Sequence, residues 1–166
     1  MNVLLLCTAC GHSLTEPLRR LPELPERPYF DGLPGPDGSR HAPPTVPRGT
    51  YAVDPEPSGA PFVPHPDPEW AGAAIPGLSM SDPDGDGFLM SAGPRDTLVT
   101  HPEDTAGRLS RNPESSEAGC CGRPGQEGPN QVCGSCGAVV ATLFSDCYVP
   151  YEIHFLPDVV RVEAAE

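Results

Sequence analysis

Gly119 to Cys147 reads GCCGRPGQEGPNQVCGSCGAVVATLFSDC, and this stretch decides how the rest of the chain is read. It carries Cys120, Cys121, Cys133, Cys136 and Cys147, five of the seven cysteines. The other two, Cys7 and Cys10, lie near the opposite end in LLLCTACGH. Cys7-Thr-Ala-Cys10-Gly11 and Cys133-Gly-Ser-Cys136-Gly137 are one device used twice, Cys-x-x-Cys-Gly. A tetrahedral zinc takes four thiolates at about 2.3 Å, and each Cys-x-x-Cys turn aims two sulfurs at one ion. Glycine after the second cysteine permits the positive φ that closes such a turn. The primary expectation is therefore a four-cysteine Zn2+ site from Cys7, Cys10, Cys133 and Cys136, the two knuckles of a zinc ribbon separated by residues 11–132. Loop closure grows only logarithmically with length, about 0.6 kcal/mol per doubling, so a long insertion between knuckles is tolerable.

Composition agrees with a fold that needs such a staple. The 166 residues include 24 Pro and 18 Gly, about a quarter of the chain, while hydrophobic residues reach only 37% and aromatics 6%. A chain so poor in apolar surface buries a modest core. A structural zinc can supply on the order of 10–16 kcal/mol of apparent binding free energy to folding. The formal net charge is −13, and all ten basic residues are Arg. Nucleic-acid binding relies on cations that release phosphate counterions, so this balance argues against a nucleic-acid-binding ribbon. No apolar run approaches the roughly 18 residues of a membrane span. Leu4-Leu5-Leu6-Cys7 has no preceding basic residue and reads as a strand entering the first knuckle rather than a signal segment. A cytoplasmic, reducing setting is the expectation, in which paired cysteines are metal ligands rather than disulfides.

Along the chain, residues 1–21 read as a strand and the first knuckle. Residues 22–86 read as a Pro/Gly-rich loop, polyproline or disordered insertion, relieved by one plausible strand at Gly49–Val53. A proline-rich peptide ligand for a partner domain is a sharper reading of the same segment. Asp82-Pro-Asp84-Gly-Asp86-Gly87 matches half of a calcium loop, but position twelve is Gly93, so a turn is expected. Residues 87–166 read as a hairpin (Phe88–Ala92 and Thr97–Thr100 joined by GPRD), a polar loop over 101–118, the second knuckle and terminal strands. Tyr151-Glu-Ile-His-Phe155 alternates as a half-buried strand should. The fold class is thus small, all-β and irregular, in one domain.

Any four of Cys120, Cys121, Cys133, Cys136 and Cys147 could close a site without the N-terminal pair, and Cys120, Cys121 and Cys147 by themselves admit two further readings. They can ligate, with His12 or His154, a second zinc, or they can pack as small hydrophobes beside the ribbon. Adjacent side chains in an extended chain face opposite ways, so only one of Cys120 and Cys121 is expected to reach a given ion. Cys133-Gly-Ser-Cys136 also matches a thioredoxin-type redox motif, but that chemistry wants a helix after the first cysteine and GAVVATLF reads as strand. His41, His65 and His101 sit beside prolines with no hydrolytic pattern, so an enzyme is not expected.

The last third resembles a group of uncharacterised actinobacterial zinc-ribbon-like proteins. The likeness rests on Cys120-Cys121-Gly122, Gly125, Gly128-Pro129-Asn130, Cys133, Cys136-Gly137, Val140-Ala141-Thr142 and Asp146-Cys147. An N-terminal Cys-x-x-Cys-Gly and the stretch from Arg48 to Pro57 extend it over most of the chain. The resemblance implies a zinc ribbon in which the ending acts as a unit, and it implies no reaction. The function expected is structural zinc binding with a role in contacts to another protein. A redox-responsive thiol or zinc switch is the alternative.

Overall fold

The computed structural model describes residues 1–166 and is an all-β, almost helix-free fold, with one short 3-10 turn at Pro102–Thr105. Twelve strands follow in order. They are β1 (Asn2–Cys7), β2 (Leu18–Arg20), β3 (Thr50–Asp54), β4 (Phe62–Pro64), β5 (Met80–Ser81) and β6 (Phe88–Ser91). Then come β7 (Thr97–Thr100), β8 (Leu109–Arg111), β9 (Gln131–Cys133), β10 (Val139–Phe144), β11 (Glu152–Phe155) and β12 (Val160–Ala164). Nine of them form one sheet in the order β12-β1-β2-β3-β7-β11-β10-β9-β8, and β4-β6-β5 form a second, small sheet. All pairings are antiparallel except β2 with β3.

The large sheet must curl on itself. β1 is second and β9 eighth in its order, six steps of about 4.8 Å, so a flat sheet would hold them roughly 30 Å apart. Instead the turn after β1 touches β9, with Cys10 Sγ 3.7 Å from Cys133 Sγ. The concave face thus encloses one core. Val3, Leu5 and Cys7 of β1, Leu14, Leu18, Tyr51, Cys133, Val140, Ala141, Ile153, Phe155 and Val160 pack together there. Alternation in β1 explains the partition, since Val3, Leu5 and Cys7 are buried while Leu4 and Leu6 are less so. A smaller cluster of Ile75, Phe144 and Val149, with Phe62 and Leu78 against it, fastens the small sheet to the end of β10.

Several expectations need correction. Phe88–Ser91 and Thr97–Thr100 do not pair as a hairpin. β6 lies between β4 and β5, while β7 lies between β3 and β11, so the intervening Gly-Pro-Arg-Asp carries the chain from one sheet to the other. The segment 22–86 is not a loop outside the fold. β3 is central in the large sheet and β4 and β5 build the small one, although their two or three residues are too short to show a pattern. Residues 101–118 contain the 3-10 turn and β8 rather than loop alone. Finally, β11 is buried on both faces: Glu152, Ile153, His154 and Phe155 are at most 2% exposed. The expected calcium-like run is the turn between β5 and β6, closed by the Asp82 N–H donating to the Gly87 carbonyl at 2.9 Å. No helix is long and apolar enough to cross a membrane.

Candidate metal centre

The two Cys-x-x-Cys-Gly segments fold into matching turns. In the first, the Cys7 N–H donates to the His12 carbonyl at 2.9 Å and the Gly11 N–H donates to the Cys7 carbonyl at 2.8 Å. In the second, the Cys133 N–H donates to the Ala138 carbonyl at 2.8 Å and the Gly137 N–H to the Cys133 carbonyl at 2.9 Å. Gly11 and Gly137 share φ of +77°, a conformation costly for any side chain. The local motif therefore encodes the knuckle, and the curled sheet brings the two together.

Their four sulfurs lie within 4.8 Å of one another. Cys7 Sγ is 3.7 Å from Cys136 Sγ, and Cys10 Sγ is 3.7 Å from Cys133 Sγ. Four thiolates at 2.3 Å from a tetrahedral ion have edges of about 3.8 Å, so the cluster has the dimensions of a zinc or similar divalent centre. Cys7 and Cys133, the first cysteine of each turn, are buried, while Cys10 and Cys136 are exposed. The two exposed thiols are shifted in opposite directions. The His12 backbone N–H draws Cys10 down to about 7 against the opposing effect of desolvation, with help from Cys136, Cys133 and Cys7. Cys136 rises to about 11: the Ala138 N–H lowers it, but desolvation and hydrogen bonds with Cys10, Cys7 and Cys133 outweigh that donor. The shared hydrogen bonds thus favour the thiolate at Cys10 and the thiol at Cys136, as a cluster of would-be anions requires.

A second group comprises Cys120, Cys121, Asp146 and Cys147, whose ligand atoms also lie within 4.8 Å of one another. Cys120 Sγ is 3.1 Å from Cys121 Sγ and 3.5 Å from Cys147 Sγ. Cys120 and Cys121 are exposed and Cys147 is half-buried, so they are not small core hydrophobes. The adjacent pair does not diverge either. Gly119-Cys-Cys-Gly122 is a tight turn closed by the Gly119 N–H donating to the Gly122 carbonyl at 2.9 Å, which removes the alternation of an extended chain. Neither expected histidine joins the group. His154 is buried between Thr97 and Glu152, and His12 belongs to the first knuckle.

Asp146, which sequence reasoning passed over as a site residue, organises this second group. It is 2% exposed, and its Oδ1 accepts from the Cys121 N–H at 3.0 Å and the Cys147 N–H at 2.8 Å. One carboxylate oxygen thereby holds two cysteine-bearing turns in register. The Asp-Cys pair of the ending was the only signal for it.

A buried charged network on β11 was likewise invisible in the alternating pattern. Glu152 receives Arg27 Nε at 2.8 Å and Thr45 Oγ1 at 2.6 Å, and His154 Nε2 lies 2.6 Å from its other oxygen. Arg27 also reaches Asp54 at 3.2 Å. Burial pushes the Glu152 carboxyl up, but the His154 and Arg27 interactions overcome it and hold the group at about 2. The remaining histidines have local partners: His41 stacks on Tyr151 at 3.7 Å, His65 on Trp70 at 4.2 Å, and His101 Nδ1 accepts from the Glu103 N–H at 3.1 Å. Strand β10, not a helix, follows Cys133-Gly-Ser-Cys136, so the helix dipole that activates a thioredoxin-type cysteine is missing.

Both cysteine groups can hold a metal ion by the chemistry and spacing of their donors. Comparisons with protein-family models, with curated proteins and with solved structures gave no significant match, so the reading of these sites rests on the chain's own residues.

Proposed function

We propose that this is a zinc-binding protein whose Cys7, Cys10, Cys133 and Cys136 hold one structural Zn2+, and whose ordered surface serves contacts with another protein. The observation that carries the reading is the pair of matching knuckles whose sulfurs meet at 3.7 Å from opposite ends of the chain. A closed four-thiolate shell leaves no position for substrate, which is the signature of structural rather than catalytic zinc. The ion would fasten the turn after β1 to the turn after β9, the seam at which the curled sheet closes on itself. Exposed Tyr29, Leu33 and Tyr148 give the surface apolar anchors of the kind partner proteins bury.

The test is metal analysis and thermal unfolding of the purified full chain. The expected result is one zinc per chain that survives passage through a chelator-containing column, and a lower unfolding midpoint once zinc is stripped under denaturing conditions. A protein that carries no metal, or that turns over a substrate without a partner, contradicts the reading.

Redox responsiveness is the second reading, favoured by the exposure of Cys10 and its acidity near neutral pH. It requires that mild oxidant release the zinc and form disulfides within the cluster. Slow, unselective oxidation counts against it.

A further inference from the structure

The second cysteine group differs from the first in the number of its sulfurs and in the hollow beside them. It offers three sulfurs rather than four, and its most exposed members, Cys120 and Cys121, face solvent beside a hollow bordered by Gly38, Ser39 and Arg40. Its fourth donor is spoken for. Asp146 Oδ1 is engaged by two backbone N–H groups and by the Cys120 thiol at 3.7 Å, and Oδ2 lies against Gly119. The approach at Gly119 is so close that a Cβ there would fall 1.7 Å from Oδ2. The chain accepts a buried carboxylate and a Gly-flanked turn that set three thiols around one point, with Cys120 as the hub.

An ordinary disulfide does not account for this arrangement. Cys120 and Cys121 are joined by a trans peptide, which sets their Cα atoms about 3.8 Å apart, below the roughly 4.4–6.8 Å that disulfides span. A disulfide between Cys120 and Cys147 would use two of the sulfurs and leave the convergence of the third unexplained. Three thiols brought together beside a carboxylate build up negative charge on ionisation, and a soft cation relieves it. Thiolate donors select soft or borderline ions such as zinc, cadmium and copper(I). Sites with three protein ligands keep a position for water or an incoming ligand.

We propose that Cys120, Cys121 and Cys147 form a second metal centre, a three-thiolate site for a soft cation whose fourth coordination position opens to solvent. Asp146 is its positioning residue, not a ligand. Binding replaces three S–H bonds by three metal–sulfur bonds and releases three protons to solvent, with no change of oxidation state. The ion here exchanges ligands and metal readily, while the four-cysteine ion stays. The proposal goes beyond the structural zinc and stands on separate residues.

Titration of metal-free, reduced full-length protein with Cd2+, followed by cadmium NMR and sulfur-to-cadmium absorption, tests it. The expected outcome is two bound equivalents and two resonances, one from four sulfurs and a more shielded one from three sulfurs with an oxygen ligand. Cys120→Ala/Cys147→Ala should abolish the more shielded signal and keep the other. Cys7→Ser/Cys10→Ser should do the reverse. Asp146→Ala should weaken the second equivalent at least tenfold, whereas Asp146→Asn, which keeps an acceptor at Oδ1, should weaken it less. A single four-sulfur resonance with one equivalent bound overturns the proposal. So does a second resonance that survives Cys120→Ala/Cys147→Ala, or recovery of a Cys120–Cys147 disulfide from protein purified without reductant. Loss of the four-sulfur signal alone contradicts the structural reading and leaves this one standing.

Discussion

Cys7 and Cys136 stand 129 positions apart in sequence, yet their sulfurs lie 3.7 Å apart across the seam of the curled sheet. Everything between them, including β3, β7 and β11, is laid out so that this contact and its twin between Cys10 and Cys133 can form. An ion at that point would fix both ends of the large sheet at once, so its removal should be felt throughout the molecule.

Stripping the metal should therefore lower stability globally. Structural zinc contributes several kcal/mol at least, and a chain of this size shifts by roughly 2–4 °C per kcal/mol, so the unfolding midpoint should fall by well over ~10 °C. Acidification should have the same effect, because thiols must lose protons to bind and regain them as pH falls. Calorimetry of zinc-loaded and stripped protein checks the size of the shift, and zinc release measured against pH checks its direction.

The Arg27–Glu152 pair predicts a separate, acid-sensitive contribution. Glu152 is held at about 2 in the fold against an ordinary 4.5. A carboxyl lowered by folding contributes stability that is complete above pH 4.5 and drains away as pH falls from there towards 2. Arg27→Ala should cost roughly 3 kcal/mol at neutral pH, since it leaves the buried Glu152 with His154 and Thr45 alone. It should also weaken the acid dependence between pH 4.5 and 2. Denaturant unfolding across pH measures both.

Phe144 ties the two sheets together through Ile75 and Val149 and stands edge-on to His154 at 5.1 Å between ring centroids. It is 1% exposed. Phe144→Ala should destabilise the protein by roughly 3–5 kcal/mol and loosen β4, β5 and β6 before the large sheet. Hydrogen exchange resolves the order.

Gly119→Ala should act locally. Its methyl group would collide with Asp146 and so pull the Cys120-Cys121 turn away from Cys147, without touching either knuckle. The expected result is loss of the more easily exchanged cadmium equivalent and retention of the tightly held one, read by metal titration.

What the residues announced in advance follows from how local each signal is. Cys-x-x-Cys-Gly encodes a turn within five residues, so both knuckles were legible, and the positive φ of Gly11 and Gly137 was legible with them. The apolar run of β10 and the strand at β3 were legible for the same reason. Pairing was not. Nothing within Phe88–Thr100 says that its two strand-forming runs belong to different sheets, because β3, β4, β5 and β11 decide that from afar. Glu152 and His154 look solvent-facing in an alternating strand. Glu152 is covered by Arg27 and Thr45, from a stretch that reads as irregular, and His154 is held by Thr97 and Phe144. The convergence of Cys120 and Cys121 depends on a turn whose closing carboxylate, Asp146, arrives 25 residues later.

Zinc content after chelator washing, in the wild type beside Cys7→Ser/Cys10→Ser, tests the central claim most directly. The account predicts one retained zinc in the wild type and none in the variant, with Cys136→Ser, altered at an exposed ligand, giving the same loss. A variant that keeps its tightly held zinc would contradict it and would place the structural site wholly between Cys120 and Cys147.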